Sequence, residues 1–163
     1  MTAIHNLTPE LRRTWHPIGR TDSFGSEPIR FELVGEPFVA VRLAGEVKVF
    51  RDVCPHRYAR LSDGTVIGDN IQCPYHGWEF ASDGRCAHVP ALGDDATLPP
   101  ARLTAPNVKY AYDMVWVAIE EPVTDILEIP EWTDSTLDRV WLPPVDVNAG
   151  AAQIIDNFLD FAH

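Results

Sequence analysis

At 163 residues, with 45 % hydrophobic and 23 % charged residues, the chain has the make-up of one soluble globular domain that can bury about 70 % of its unfolded surface without a disulfide staple; no apolar run approaches the roughly 18 residues of a membrane helix. Its 13 Lys and Arg against 24 Asp and Glu leave a net charge of -11, which repels phosphate backbones and anionic lipid, so neither nucleic acid nor a membrane is an expected partner. Met1 to Leu11 lacks a basic region followed by an apolar stretch, which predicts a cytoplasmic protein, and three cysteines in a reducing compartment point to metal ligation or free thiols.

The 14 prolines and 10 glycines punctuate short segments rich in Val, Ile, Phe and Trp, the pattern of a mainly β fold. Thr8-Pro9-Glu10 reads as an N-cap with proline at the first helical position, which predicts a short N-terminal helix ending before Trp15. Segments 29–34 and 37–43 flank Gly35-Glu36, a two-residue hairpin signal, and Ala44-Gly45-Glu46 turns the chain into Val47-Lys48-Val49-Phe50. Two more hairpins are expected, one around Ser82-Asp83-Gly84 between Trp78-Glu79-Phe80 and Arg85 to His88, the other around Asp113 between Val108 to Tyr112 and Met114 to Ile119. From Glu120 to Asn148 a proline- and acid-rich stretch suits a connector that wraps the surface. Beyond it Ile155, Phe158, Leu159 and Ala162 share one face of a C-terminal helix, and Asp156, Asp160 and His163 share another. No internal repeat or low-complexity tract is present.

The chemistry concentrates between residues 54 and 78. Cys54-Pro55-His56 is followed, after 16 intervening residues, by Cys73-Pro74-Tyr75-His76-Gly77-Trp78. Each arm offers one thiolate and one imidazole, so two loops side by side supply two sulfur and two nitrogen donors. Zinc in a closed Cys₂His₂ site and a 2Fe-2S cluster with two histidine ligands both use that set. Zinc sites usually draw their cysteines as one close pair and their histidines as another, whereas mixed arms suit two irons. Cys86 has only His88 at ligand spacing and reads as a half-buried free thiol. His5, His16 and His88 read as structural or surface residues, Trp78 as packing over the loops, and Gly93-Asp94-Asp95 as a solvated loop.

On these residues the sequence resembles the Rieske domain, and within it the Rieske-type non-heme iron oxygenases. The resemblance is carried by Cys54-Pro55-His56-Arg57, Leu61-Ser62-Asp63-Gly64 and Cys73-Pro74-Tyr75-His76-Gly77-Trp78, with Trp15-His16-Pro17 upstream. It implies a fold of stacked antiparallel sheets whose two hairpin loops grip a 2Fe-2S cluster, Cys54 and Cys73 on one iron, His56 and His76 on the other. Tyr58 stands where many ring-hydroxylating dioxygenases have glycine, which looks like the demethylase and monooxygenase branch typified by vanillate O-demethylase oxygenase. A second resemblance lies at Asn157-Phe158-Leu159-Asp160-Phe161-Ala162-His163, which looks like the opening of the family's catalytic domain. It implies that Asp160 bridges the two metal centres by accepting ring N–H bonds from a histidine ligand of each, and that His163 is the first ligand of a mononuclear Fe(II).

The expected organisation is therefore an N-terminal helical arm (1–14), a Rieske 2Fe-2S domain (15–120), a connector (121–148) and the start of a catalytic domain (149–163). The resemblance implies an oxygenase component, mono- or dioxygenase or demethylase, in which the cluster passes electrons from an NAD(P)H-dependent reductase or a ferredoxin to the mononuclear iron. A small aromatic substrate would bind in a domain beyond residue 163, and the full-length protein would assemble as a homo-oligomer, a trimer. The 163-residue chain alone would transfer electrons only. A stand-alone Rieske ferredoxin is the alternative, although such a protein would end near Ile119. The respiratory-chain type carries an extra cysteine in each loop and a membrane anchor, and this sequence has Tyr75 beside His76 and no anchor. High-potential members resemble one another in a serine and a tyrosine two and four residues after the last histidine, where this chain has Trp78 and Phe80.

Overall fold

The computed structural model of the protein describes residues 8–93, 96–143, 145 and 147–160. Among them are ten strands: β1 His16–Arg20, β2 Ile29–Leu33, β3 Glu36–Leu43, β4 Glu46–Arg51, β5 Thr65–Ile67, β6 Asn70–Gln72, β7 Glu79–Phe80, β8 Cys86–His88, β9 Asn107–Ala111 and β10 Met114–Ala118. They form three antiparallel sheets, ordered β1-β10-β9, β2-β3-β4 and β5-β6-β7-β8, and one helix follows, α1 at Ala151–Leu159. This is the mainly β fold of antiparallel sheets expected from the turn punctuation.

Tight turns with two successive left-handed residues join several strands. Val34 and Gly35 close the β2-β3 hairpin, Ala44 and Gly45 the β3-β4 hairpin, and Tyr112 and Asp113 the β9-β10 hairpin, all at positive φ. Such turns match the right-handed twist of the paired strands. The first turn lies one residue earlier than Gly35-Glu36, because glycine takes the second left-handed position and frees Glu36 to pair with Leu33. The hairpin of β5 and β6 and strand β1 lack a legible period, since each is short and neither shows clean alternation. The N-terminal segment Pro9–Arg13 is a 3₁₀ turn rather than an α-helix, and Thr8 makes no side-chain cap.

The middle sheet carries the fold. Phe38 and Ala40 of β3 and Val47 and Val49 of β4 face the β1-β10-β9 sheet, packing with Val115, Val117 and Phe24. Val39, Val41, Leu43 and Phe50 project the other way, against Ile71, Phe80, Leu61, Leu103 and the cysteines. Both faces of β3 are covered, so its sequence is almost continuously apolar instead of alternating.

The C-terminal stretch departs from expectation at one end. Gly150 starts α1, with its N–H donating to the Gln153 side chain at 3.0 Å, and the helix ends at Leu159. Asp160 follows the helix in extended conformation (φ -82°, ψ 90°) instead of continuing it. Ile155, Phe158 and Leu159 are exposed, so the face they share finds no cover among the described residues. Ala162 and His163 lie outside the described residues, as do His5, Asp94 and Asp95.

Candidate metal centre

The two arms named from the sequence are built alike. In the first, the Cys54 N–H donates to the Ala59 carbonyl at 2.8 Å and the Tyr58 N–H donates to the Cys54 carbonyl at 2.9 Å. In the second, the Cys73 N–H donates to the Trp78 carbonyl at 2.8 Å and the Gly77 N–H to the Cys73 carbonyl at 3.1 Å. Tyr58 and Gly77 are thus equivalent, four residues after their cysteines, and both are left-handed, with φ 59° and 70°. That geometry is why glycine suits the position, and why a tyrosine there costs roughly 1–2 kcal/mol. A Cβ at Gly77 would also come within 2.9 Å of Pro90, which lies against the second arm.

Strands position these arms. The first leaves β4 at Arg51 and closes on the 3₁₀ turn Leu61–Asp63; the second joins β6 to β7. Asp52 fastens the first arm. Its side chain is fully buried, and its carboxylate accepts the Ser62 N–H at 2.8 Å, the Ser62 hydroxyl at 2.7 Å and the Arg30 Nε–H at 3.1 Å. Glu79 does comparable work behind the second arm, accepting from Asn70 at 3.0 Å and Gln72 at 3.3 Å and facing His88 Nδ1 at 3.4 Å. Gly64 lets the arms close, because a Cβ there would fall 2.1 Å from the Gln72 carbonyl oxygen, one residue before Cys73.

The four donors sort into two pairs. Cys54 and Cys73 are 1 % and 2 % exposed, within hydrogen-bonding reach of each other. Burial pushes the Cys54 thiol up to about 11, against the pull of the His56 and Arg57 N–H groups, and the Cys73 sulfur adds to the rise. The imidazoles lie at the other end, with ring centroids 4.8 Å apart. The indole of Trp78 stacks on His56 at 4.4 Å with 9° between planes, and Tyr75 lies 3.9 Å from His76. Partial desolvation lowers the His56 pKa, and the charges of His76 and Arg57 lower it further. Among the described residues no three His, Cys, Asp or Glu side chains close on one ion-sized point. A thiol pair inside and an imidazole pair outside can instead hold a group with two metal atoms.

The remaining expectations fall as follows. Cys86 is a free thiol but buried rather than half-buried, part of the core beside Cys54 and Cys73, with its pKa raised by that burial. His16 is structural, its Nε2 lying 2.7 Å from the Leu11 carbonyl oxygen and 2.9 Å from the Thr14 hydroxyl. Asp160 is exposed at the end of α1. Asp52, Ser62, Glu79 and Pro90 were missed by sequence reasoning. Only Ser62 had a signal, as part of the Leu61-Ser62-Asp63-Gly64 run.

The stacked sheets and paired Cys/His arms define an iron–sulfur electron-transfer domain. The chain belongs to the Rieske [2Fe-2S] domain family, which matches residues 14–106, and its cofactor is a 2Fe-2S cluster. It is similar to methylxanthine N1-demethylase NdmA of Pseudomonas putida, with 34 % identity over 98 % of this chain and 48 % of that protein. It is also similar to the oxygenase component of 3-ketosteroid-9-alpha-monooxygenase of Mycobacterium tuberculosis, with 33 % identity over 96 % of this chain and 42 % of that protein. The solved structure of NdmA from Pseudomonas putida CBB5 superimposes with a TM-score of 0.83 at 32 % identity, over 97 % of this chain and 50 % of that one. Apo dicamba monooxygenase gives 0.66 at 28 % identity, over 77 % and 40 %. The chain thus spans about half the length of the relatives it matches.

Proposed function

We propose that the chain is the electron-delivering part of the oxygenase component of a Rieske non-heme iron oxygenase, a mono-oxygenase or demethylase acting on a small aromatic compound. In this reading Cys54 and Cys73 hold the inner iron of the cluster and His56 and His76 the outer one. The observation that carries it is the sorting of donors, buried thiols at one end and accessible imidazoles at the other, on two arms of equivalent hydrogen bonding. A 2Fe-2S cluster held there takes up and returns one electron. The chain's residues do the rest. Burial of the cysteines keeps water from the sulfurs, the His56 and Arg57 N–H groups point at the Cys54 sulfur, and the histidines present the redox end to solvent.

Asp160 is proposed as the carboxylate that bridges a mononuclear Fe(II) in the domain that follows it and the Rieske cluster of a neighbouring subunit, with His163 as the first ligand of that iron. A crystal structure of dicamba monooxygenase contains non-heme iron, and the relatives are oxygenase components or demethylases about twice as long as this chain. Similarity extending over nearly the whole chain, connector and α1 included, supports this role over a stand-alone ferredoxin. The reductase or ferredoxin donor, the trimer and the cytoplasmic location belong to the same proposal. The test is iron and sulfide analysis of the purified protein with its visible spectrum. Two irons and two sulfides per chain are expected, lost in Cys73→Ser and kept in Cys86→Ser. A colourless protein that holds zinc after iron-replete expression overturns the assignment.

A further inference from the structure

The described residues bury two carboxylates, Asp52 behind the first arm and Glu79 behind the second. Asp52 has a guanidinium partner in Arg30. Glu79 has none among the described residues. Its one ionisable neighbour there is the half-exposed His88, whose Nδ1 lies 3.4 Å away and is charged only when protonated. Its other side-chain partners are neutral amides, Asn70 at 3.0 Å and Gln72 at 3.3 Å. Strand register sets out this row, since Glu79 on β7 pairs with Gln72 on β6 and with His88 on β8.

A buried charge without a matching cation is costly, and these contacts do not call for one. A glutamine at position 79 would accept from Asn70 and donate to Gln72 once that amide turned over, because an amide both donates and accepts. What glutamine lacks is the charge. That charge sits where the second arm is anchored, for Gln72 directly precedes Cys73, and Trp78, directly before Glu79, stacks on His56.

We propose that Glu79 sets the working potential of the cluster, its buried negative charge opposing the added electron and keeping the reduced centre a strong donor. The inference rests on the proposed electron-transfer function. The hydrogen bonds of Glu79 hold the second arm, and its charge tunes what the arm holds. A fixed negative charge behind the arm destabilises the reduced state more than the oxidised one, because reduction adds negative charge to the cluster. Burial keeps water and salt from screening it, which separates Glu79 from the carboxylates on the surface.

The test is potentiometry of the holoprotein at pH 8, where a solvated imidazole is mostly uncharged, with iron content and visible spectrum measured for each variant. Glu79→Gln should keep two irons per chain and the wild-type spectrum while becoming about tenfold easier to reduce, an upward shift of about 59 mV for one electron. Glu32→Gln removes the same charge from an exposed position on β2, and should change the reduction equilibrium by less than about twofold, about 18 mV. His88→Lys sets a permanent cation against the carboxylate from its half-exposed side, and should raise the midpoint without disturbing the buried amides. An unmoved midpoint in Glu79→Gln, or an equal rise in Glu32→Gln, overturns the role of Glu79. If Glu79→Gln loses its cluster, the decision passes to His88→Lys, and an unmoved midpoint there overturns the role. Wild-type protein that holds no 2Fe-2S cluster counts against the electron-transfer function itself.

Discussion

Asp52 is a buried carboxylate whose three donors come from a turn ten residues ahead and a strand twenty-two residues behind. Removing it in Asp52→Ala leaves the Ser62 N–H without an acceptor, at a cost of about 2 kcal/mol. The 3–5 kcal/mol typical of breaking a fully buried ion pair does not apply, because Arg30 is 44 % exposed and returns to water. Urea denaturation should therefore show a loss near 2 kcal/mol, with Asp52→Asn losing less because it keeps the shape and one acceptor. A loss under about 0.5 kcal/mol in Asp52→Ala would show that the first arm does not depend on this clamp. Tyr58 and Gly77 make a different point at the same scale. The left-handed conformation belongs to the position in the turn, and the residue there decides only how much strain the chain carries.

The arms depend on close approach between elements as much as on their own hydrogen bonds. A methyl group at Gly64 meets the backbone oxygen of Gln72, which cannot move without shifting the strand that delivers Cys73. Gly64→Ala is accordingly expected to destabilise the protein by about 2–3 kcal/mol and to lower its iron content. Gly25→Ala, where an added Cβ meets nothing within 4 Å and φ is ordinary, should leave both unchanged. Equal behaviour of the two variants in thermal melts and iron analysis would remove the steric argument. The connector is held by aromatic and polar contacts along the β1-β10-β9 sheet. Tyr112 donates to the Leu127 carbonyl at 2.8 Å and accepts the Ile129 N–H at 3.0 Å, Trp132 packs on Tyr112, and Arg20 lies 4.4 Å from the Trp141 ring.

Across the whole molecule the charge of -11 and the residues behind the second arm act on the same property. Rieske centres span roughly -150 to +300 mV, set in part by hydrogen bonds to the sulfurs. Trp78 is committed to a stack on His56 and Phe80 is fully buried, and neither offers a hydroxyl. The acidic surface further opposes the addition of an electron. Potentiometry near neutral pH should place the midpoint in the lower part of that range, whereas a value above about +150 mV would show that other donors dominate. At this scale the exposed face of α1, with Phe158 77 % accessible, is an amphipathic surface whose apolar side is uncovered among the described residues.

Much of this was legible in the chain because it is local. The Cys/His arms, the hairpin turns and the helical period near the C-terminus each depend on residues a few positions apart, where backbone geometry and turn chemistry leave few choices. The arms could be named and their mixed composition interpreted, and of the hairpin turns only the first needed moving, by one residue. Short strands such as β5 and β6 escaped because three residues carry no measurable period, and β3 showed no alternation because it is buried on both faces. What brings the thiols together and leaves the imidazoles outside is the stacking of one sheet on another, which sequence spacing does not encode. The same holds for Arg30 on Asp52, Pro90 against Gly77 and ion pairs such as Arg12 with Glu120 and Lys109 with Asp125. Those contacts join residues far apart in the chain, and only packing of the sheets determines which of them meet.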